Sequence, residues 1–207
     1  MSGAGTGHSP EGHGRFHAFR DAAEAYEAAK LGIWTFLATE VLLFGGLFTA
    51  YTVFRIRYAD LFHAEALKLN RVLGAVNTVI LIGSSLTVAL AIAAVRKGRT
   101  REVVLFLLIT ILLASGFLGV KYLEYMEKFR HGLFPRTNLF FSLYFMMTGI
   151  HGLHVVAGMG VLGWVLAKAA RGAFSEGYYT PVEMAGLYWH FVDLVWIYLF
   201  PLLYLIG

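Results

Sequence analysis

The chain of 207 residues contains no cysteine. That absence excludes every thiolate-ligated centre: a structural Cys zinc, an iron–sulfur cluster, covalent c-type haem attachment and a thiolate-bridged copper pair. It also excludes disulfides, so cysteine usage says nothing of the redox compartment. Charge is scarce as well, at 14% Asp, Glu, Lys and Arg. The 17 basic residues give a net charge of +4 but lie between apolar runs rather than along one stripe, which argues against nucleic acid as a partner and for anionic lipid headgroups. No continuous apolar h-region occurs in residues 1–29, so this stretch does not read as a cleavable secretory signal.

What is present is apolar. Hydrophobic residues make up 58% of the chain and aromatics 15%, with a mean hydropathy of +0.65. This composition predicts an all-α integral membrane protein. Five segments, roughly 31–55, 73–95, 103–122, 139–167 and 182–206, are each long enough to cross a ~30 Å hydrocarbon core as a helix. The expected fold is therefore one bundle of five transmembrane helices, residues 30–207. Ahead of it, residues 1–29 read as a largely flexible tail leading into a short surface helix. An odd number of spans places the termini on opposite sides. Lys and Arg divide almost evenly between the two sets of connections, and only the compact "RKGRTR" turn favours a cytoplasmic N-terminus.

Between membrane helices, small and polar residues must supply the interface, because lipid is as apolar as a neighbouring leucine. Gly45, Gly46 and Ala50 in the first span, Asn77, Ser84 and Ser85 in the second, and Gly149, Gly152, Gly158 and Gly160 in the fourth offer such surfaces. The third, "VVLFLLITILLASGFLGV", is greasier and is expected to face lipid most.

Five membrane-level polar groups require explanation. Glu40 lies about 14 Å into the first span, near the midplane. An ionised carboxylate there costs at least ~2.5–3.5 kcal/mol, so it should be protonated, paired or facing a wet crevice. Its own turn offers only Phe36, Leu37, Leu43 and Phe44, so a partner must come from elsewhere. A neutral structural glutamate and a group that handles protons or contacts lipid or another subunit both fit. His151 and His154 sit three apart, as do His190 and Asp193, with Glu183 two turns earlier. Membrane histidines invite a haem reading, but a two-haem arrangement wants two histidines on each of two helices, two to four turns apart. Interhelical hydrogen bonding, such as imidazole to Asp193, is the stronger reading. His8, His13 and His17 in the Gly-rich tail suit adventitious metal at most. In "KYLEYMEKFRHG", Lys121, Tyr122, Glu124 and Tyr125 fit an interfacial belt, with Glu124 and Lys128 as an i,i+4 pair; a solvated helix end and a contact site both fit. Tyr188, Trp189, Trp196 and Tyr204 read as packing or interface aromatics.

Taken in order, "GIWTFLATEVLLFGGLFTAYTVFR", "VNTVILIGSSLTVALA", "KYLEYMEKFRHGLFP", "LFFSLYFMMTGIHGLHVVAGMGVL" and "GLYWHFVDLVWIYLFPLLYL" resemble subunit III of the haem–copper respiratory oxidases from about residue 31 onward. The resemblance implies a five-helix short form, similar to the last five helices of the seven-helix version, with any second wall of the family's lipid cleft supplied by another chain. It implies an accessory subunit of a proton-pumping terminal oxidase that reduces dioxygen to water. This subunit packs directly on subunit I within a complex that includes subunit II, binds phospholipid, and supports proton uptake and resistance to inactivation. It implies no haem, copper or other metal in this chain, the haem and copper residing in partner subunits. It matches Glu40 to an intramembrane, carbodiimide-reactive carboxylate, and His151, His154, His190, Asp193 and Glu124 to supporting polar positions. The segments "ATEV" and "FPLLYL" resemble the branch that takes electrons from cytochrome c; a quinol oxidase and a nitric oxide reductase accessory protein are the alternatives within the family. The family further implies a bacterial-type inner (plasma) membrane with a cytoplasmic N-terminus. An independent proton or ion transporter and a di-haem electron carrier are the competing readings from other classes; the first expects an inverted repeat, which five uneven spans do not display.

Overall fold

A computed structural model describes residues 22–175 and 177–206. The histidine-bearing tail segment with His8, His13 and His17 lies outside the described residues. Among the described residues six α-helices follow one another: α1 (Ala22–Arg57), α2 (Ala59–Ala66), α3 (Arg71–Val95), α4 (Thr100–Arg130), α5 (Leu139–Ala170) and α6 (Thr180–Phe200), the last prolonged by a π-helical turn, Pro201–Leu205. All but α2 are long and apolar enough to span a membrane.

Two boundaries differ from the sequence expectation for one reason. The predicted break between a tail or surface helix and the first span, near residue 30, does not exist: "AAEAYEAAK" consists of good helix formers and runs without interruption into α1. Likewise α4 continues past residue 122 through "KYLEYMEKFR" to Arg130. Hydropathy falls at these places, but backbone propensity does not. Helices end instead where the chain demands a left-handed residue. Gly98, Gly132 and Gly172 have φ of 65°, 72° and 70° after α3, α4 and α5. Each is followed by an amide that bonds back to the fifth residue before it: Arg99 to Ala94, Leu133 to Lys128 and Ala173 to Lys168. At the opposite ends, Asn70 accepts from the amides of Val72 and Leu73, and Asn138 from that of Phe141.

Helix α2, within the first connection, was not legible beforehand. It buries Phe62 and Ala66, and Phe62 meets Tyr51 of α1 and Phe140 of α5 edge-on at 5.2 and 5.5 Å.

The most extensive helix pair is α3 with α4, and α6 lies at the centre against α3, α5 and α1. Polar side chains join these neighbours, as expected where apolar attraction does not discriminate between protein and lipid. Thr87 and Thr110 meet at 2.7 Å; Trp189 Nε1 donates to Ser84 and Trp196 Nε1 to Thr78. Thr110 draws α4 onto α3, which corrects the expectation that the third span faces lipid most; α1 is the least buried span. The small-residue surfaces are also fewer than expected. A Cβ on Gly158 would meet the Trp189 ring at 2.9 Å, but Gly45, Gly46, Gly149, Gly152 and Gly160 have no packed neighbour within 4 Å.

Contacts at the two ends fix the relative order. At the N-terminal end of α1, Glu183 accepts from Tyr26 at 3.2 Å and from Arg96, whose Nε lies at 3.0 Å. That hydrogen bond and the charge of Glu183 raise the Arg96 pKa, so its guanidinium stays charged. At the other end Arg55 donates to the carbonyl of Ile206.

Candidate functional site: intramembrane polar clusters

The carboxyl of Glu40 finds its partner on α5. His154 Nε2 stands 2.9 Å from Glu40 Oε2, joining residues 114 apart in the chain. The other ring nitrogen, Nδ1, lies 2.8 Å from the carbonyl of Ile150. A carbonyl only accepts, so Nδ1 carries a hydrogen. Two arrangements then satisfy the pair: a neutral imidazole accepting from a protonated carboxyl, or an imidazolium donating to a carboxylate. Each has zero net charge and each places one proton between the two side chains. Phe44 packs edge-on against His154 at 5.2 Å, and Tyr188 donates to the His154 carbonyl at 3.3 Å. The pair is not sealed: side-chain exposures of 14% for Glu40 and 18% for His154 leave it reachable from the flank of the bundle.

A second cluster is closed. Glu124 is fully buried, with Oε2 2.9 Å from Lys121 Nζ and Oε1 3.1 Å from Lys128 Nζ. Tyr204 and Tyr144 donate to Oε1 at 2.7 and 3.1 Å. Lys121 spends its three hydrogens on Glu124, Tyr144 (3.2 Å) and Tyr204 (3.0 Å), and its ammonium lies 5.0 Å from the Trp196 ring. The expected Glu124–Lys128 pair thus forms, but inside the protein; the solvated helix end is overturned. Lys121, read as a belt residue, and Tyr204, read as a packing or interface aromatic, belong to the same cluster and tie α4, α5 and the π-helical turn together. Tyr122, 61% exposed, does sit on the outside.

The third group lies between α3 and α6. His190 Nδ1 meets Ser85 Oγ at 2.7 Å, and Asp193 is 2% exposed. The expected bond from an imidazole to Asp193 does not form; Ser85 is the polar group that interacts with the carboxyl, and among the described residues neither carboxyl oxygen has a partner at full hydrogen-bond geometry. His151 does not join His154. It is buried against Phe117 and Trp196, at 5.7 and 5.4 Å, with both ring nitrogens unpartnered among the described residues. Burying unpaired polar atoms is unfavourable, so leucine at this position should cost little. His151→Leu is expected to change the unfolding free energy by less than about 1.5 kcal/mol, as read by thermal unfolding of the detergent-solubilised protein.

Sequence reasoning singled out Glu40, Glu124, His190 and Asp193 as polar positions to be explained, but paired His190 with Asp193 rather than Ser85 and did not bring Lys121, Lys128, Tyr144 and Tyr204 together as one cage. The i,i+3 and i,i+4 spacing of Lys121, Glu124 and Lys128 was the available signal.

These features define a multi-pass, all-helical membrane subunit whose midplane carboxyl is paired across helices and whose buried carboxylate is caged by lysines. The sequence profile of cytochrome c oxidase subunit III matches residues 19–207, and the chain belongs to that family. It is 36% identical to cytochrome c oxidase subunit 3 of Thermostichus vulcanus, over 95% of this chain and 96% of that one. It is 33% identical to quinol oxidase subunit 3 of Bacillus subtilis (strain 168), over 86% of each. To cytochrome bo(3) ubiquinol oxidase subunit 3 of Pseudomonas aeruginosa it is 33% identical, over 97% of this chain and 95% of that one. The chain is thus a subunit III of a haem–copper oxidase.

Proposed function

We propose that this subunit serves a proton-pumping oxidase that takes its electrons from cytochrome c, packing on subunit I beside subunit II and sustaining proton uptake without a redox centre of its own. The proton shared by Glu40 and His154 carries the reading. It lies near the midplane, bound at zero net charge, and open on one flank, the arrangement of a group that exchanges a proton with its surroundings. Haem and copper then belong to partner subunits. The absence of cysteine supports this division, since a thiolate-bridged copper pair cannot be built from this chain. Phospholipid would lie along α1, α5 and α6, where Phe36, Val161, Trp164, Met184 and Tyr188 line an apolar groove of about 400 Å³ suited to an acyl chain.

For the donor, support comes from "ATEV" and "FPLLYL" and from the higher identity to the Thermostichus protein. The membrane is of the bacterial plasma type, with a cytoplasmic N-terminus. The basic turn Arg96, Lys97, Arg99 and Arg101 lies at the same end as the start of α1, which agrees with the positive-inside rule. The competing quinol reading rests on quinol oxidase relatives such as those of Bacillus subtilis and Pseudomonas aeruginosa. Oxygen consumption by the natively purified complex separates the readings: turnover with reduced cytochrome c supports the proposal, and turnover with quinol alone overturns its donor. Deleting the subunit should slow proton uptake while oxygen reduction continues. Complete loss of oxygen reduction with subunit I still haem-loaded would refute the supporting role.

A further inference from the structure

The α3/α6 group borders an open cleft. A cleft of about 230 Å³ opens on the outer face between these helices, lined by Ser85, His190 and Asp193 and rimmed by Ile82, Leu194 and Ile197. The rim residues are 52%, 49% and 44% exposed, whereas the carboxyl facing the cleft belongs to a residue that is 2% exposed and, among the described residues, has no partner at full hydrogen-bond geometry. Ser85 Oγ lies 2.7 Å from His190 Nδ1 and stands beside the Asp193 carboxyl. Asp193 lies about 20 Å along α6 and Ser85 about 21 Å along α3 from their starts, so the cleft sits at mid-membrane depth. A carboxyl left there without a donor is strongly unfavourable.

We infer that this cleft is a docking site for a hydrogen-bond-donating side chain, arginine or lysine by charge, projected from a transmembrane helix of a partner subunit. A lipid does not meet the requirement: acyl chains carry no donor, and headgroups lie roughly 15 Å away at the edge of the hydrocarbon core, with an anionic phosphate of the wrong sign. The size of the cleft fits one long side chain rather than a whole helix, and the exposed Ile82, Leu194 and Ile197 offer an apolar surface for the helix that carries it. A partner cation would be neutralised by Asp193 as it leaves water, and this mutual compensation makes the contact specific. Glu40 and His154 compensate one another on the α1/α5 flank, so they present no such demand. The inference rests on membership in an oxidase complex and adds which face meets the partner.

The test uses the assembled complex. Benzoylphenylalanine replaces Ile82 or Leu194, with Leu153 on the exposed face of α5 as the control position. After irradiation, mass spectrometry should identify crosslinks from positions 82 and 194 to another membrane subunit. In parallel, Asp193→Leu should lower retention of this subunit in mild detergent about tenfold, the order expected for one lost hydrogen bond to a charged group, while Asp193→Asn, which still accepts but gives up the charge, should fall between that variant and the parent. Crosslinks to lipid only, or to nothing, in a complex that still contains haem-bearing subunits would overturn the docking site and leave the oxidase reading standing. So would full retention of Asp193→Leu. If that variant does not fold, the crosslinks decide. Purification without any haem-bearing subunit would overturn both readings.

Discussion

Glu124→Leu is expected to destabilise the bundle by about 3–5 kcal/mol, the cost of breaking a buried ion pair from one side. The carboxylate is the common acceptor for Lys121, Lys128, Tyr144 and Tyr204. Its loss strands two ammonium groups in residues that are 8% and 4% exposed. Glu124→Gln should fall between, since it preserves shape and one acceptor oxygen but gives up the charge; a loss of roughly 1.5–3 kcal/mol is the expected scale. Replacing all three charges together, as Lys121→Met, Glu124→Leu and Lys128→Met, should recover most of the stability, because an apolar cluster of similar volume has no desolvation to offset. Thermal unfolding in detergent, followed by circular dichroism, measures the series. A single Glu124→Leu variant that melts with the parent would mean that solvent or lipid reaches the lysines and that the cage is not closed.

The second large effect concerns Glu40. Glu40→Lys should release the subunit from its complex: the lysine places an ionised group near the midplane at a cost of at least ~2.5–3.5 kcal/mol. Glu40→Gln should leave assembly intact, because its amide can donate to His154 Nε2 while Nδ1–H keeps the Ile150 carbonyl. What the amide lacks is an ionisable proton. The expected signature is a complex that co-migrates with the parent on a native gel yet takes up protons more slowly, with haem reduction unaffected. Loss of assembly in Glu40→Gln would assign the carboxyl a structural role instead.

The local chemistry of these positions was readable from the chain alone. Helical periodicity already established that Glu40 has no partner within its own turn and that Glu124 and Lys128 share a face. Hydropathy placed five spans, because a run of about 20 apolar residues has few alternatives to a membrane helix. Its failures cluster at the span ends. Hydropathy reports what a residue prefers as solvent, whereas helix ends follow backbone propensity and the left-handed glycines, so α1 and α4 overran their apolar cores. The same confusion put the lysines of α4 at an interface.

The sequence by itself determined the number of membrane helices, the absence of any thiolate centre, the family resemblance and the need for a distant partner at Glu40. Only the tertiary structure decided that the partner is His154 rather than water, that Glu124 is caged rather than solvated, that His190 turns to Ser85, and that Asp193 faces a cleft between α3 and α6. The reason is geometric. A helix fixes which residues share its own face through contacts three and four positions apart, but interhelical partners depend on rotation and sliding of whole helices against one another. Those degrees of freedom are settled by Thr87 against Thr110, Trp189 against Gly158 and Tyr204 on Glu124, pairs 23, 31 and 80 residues apart, at separations no local pattern records.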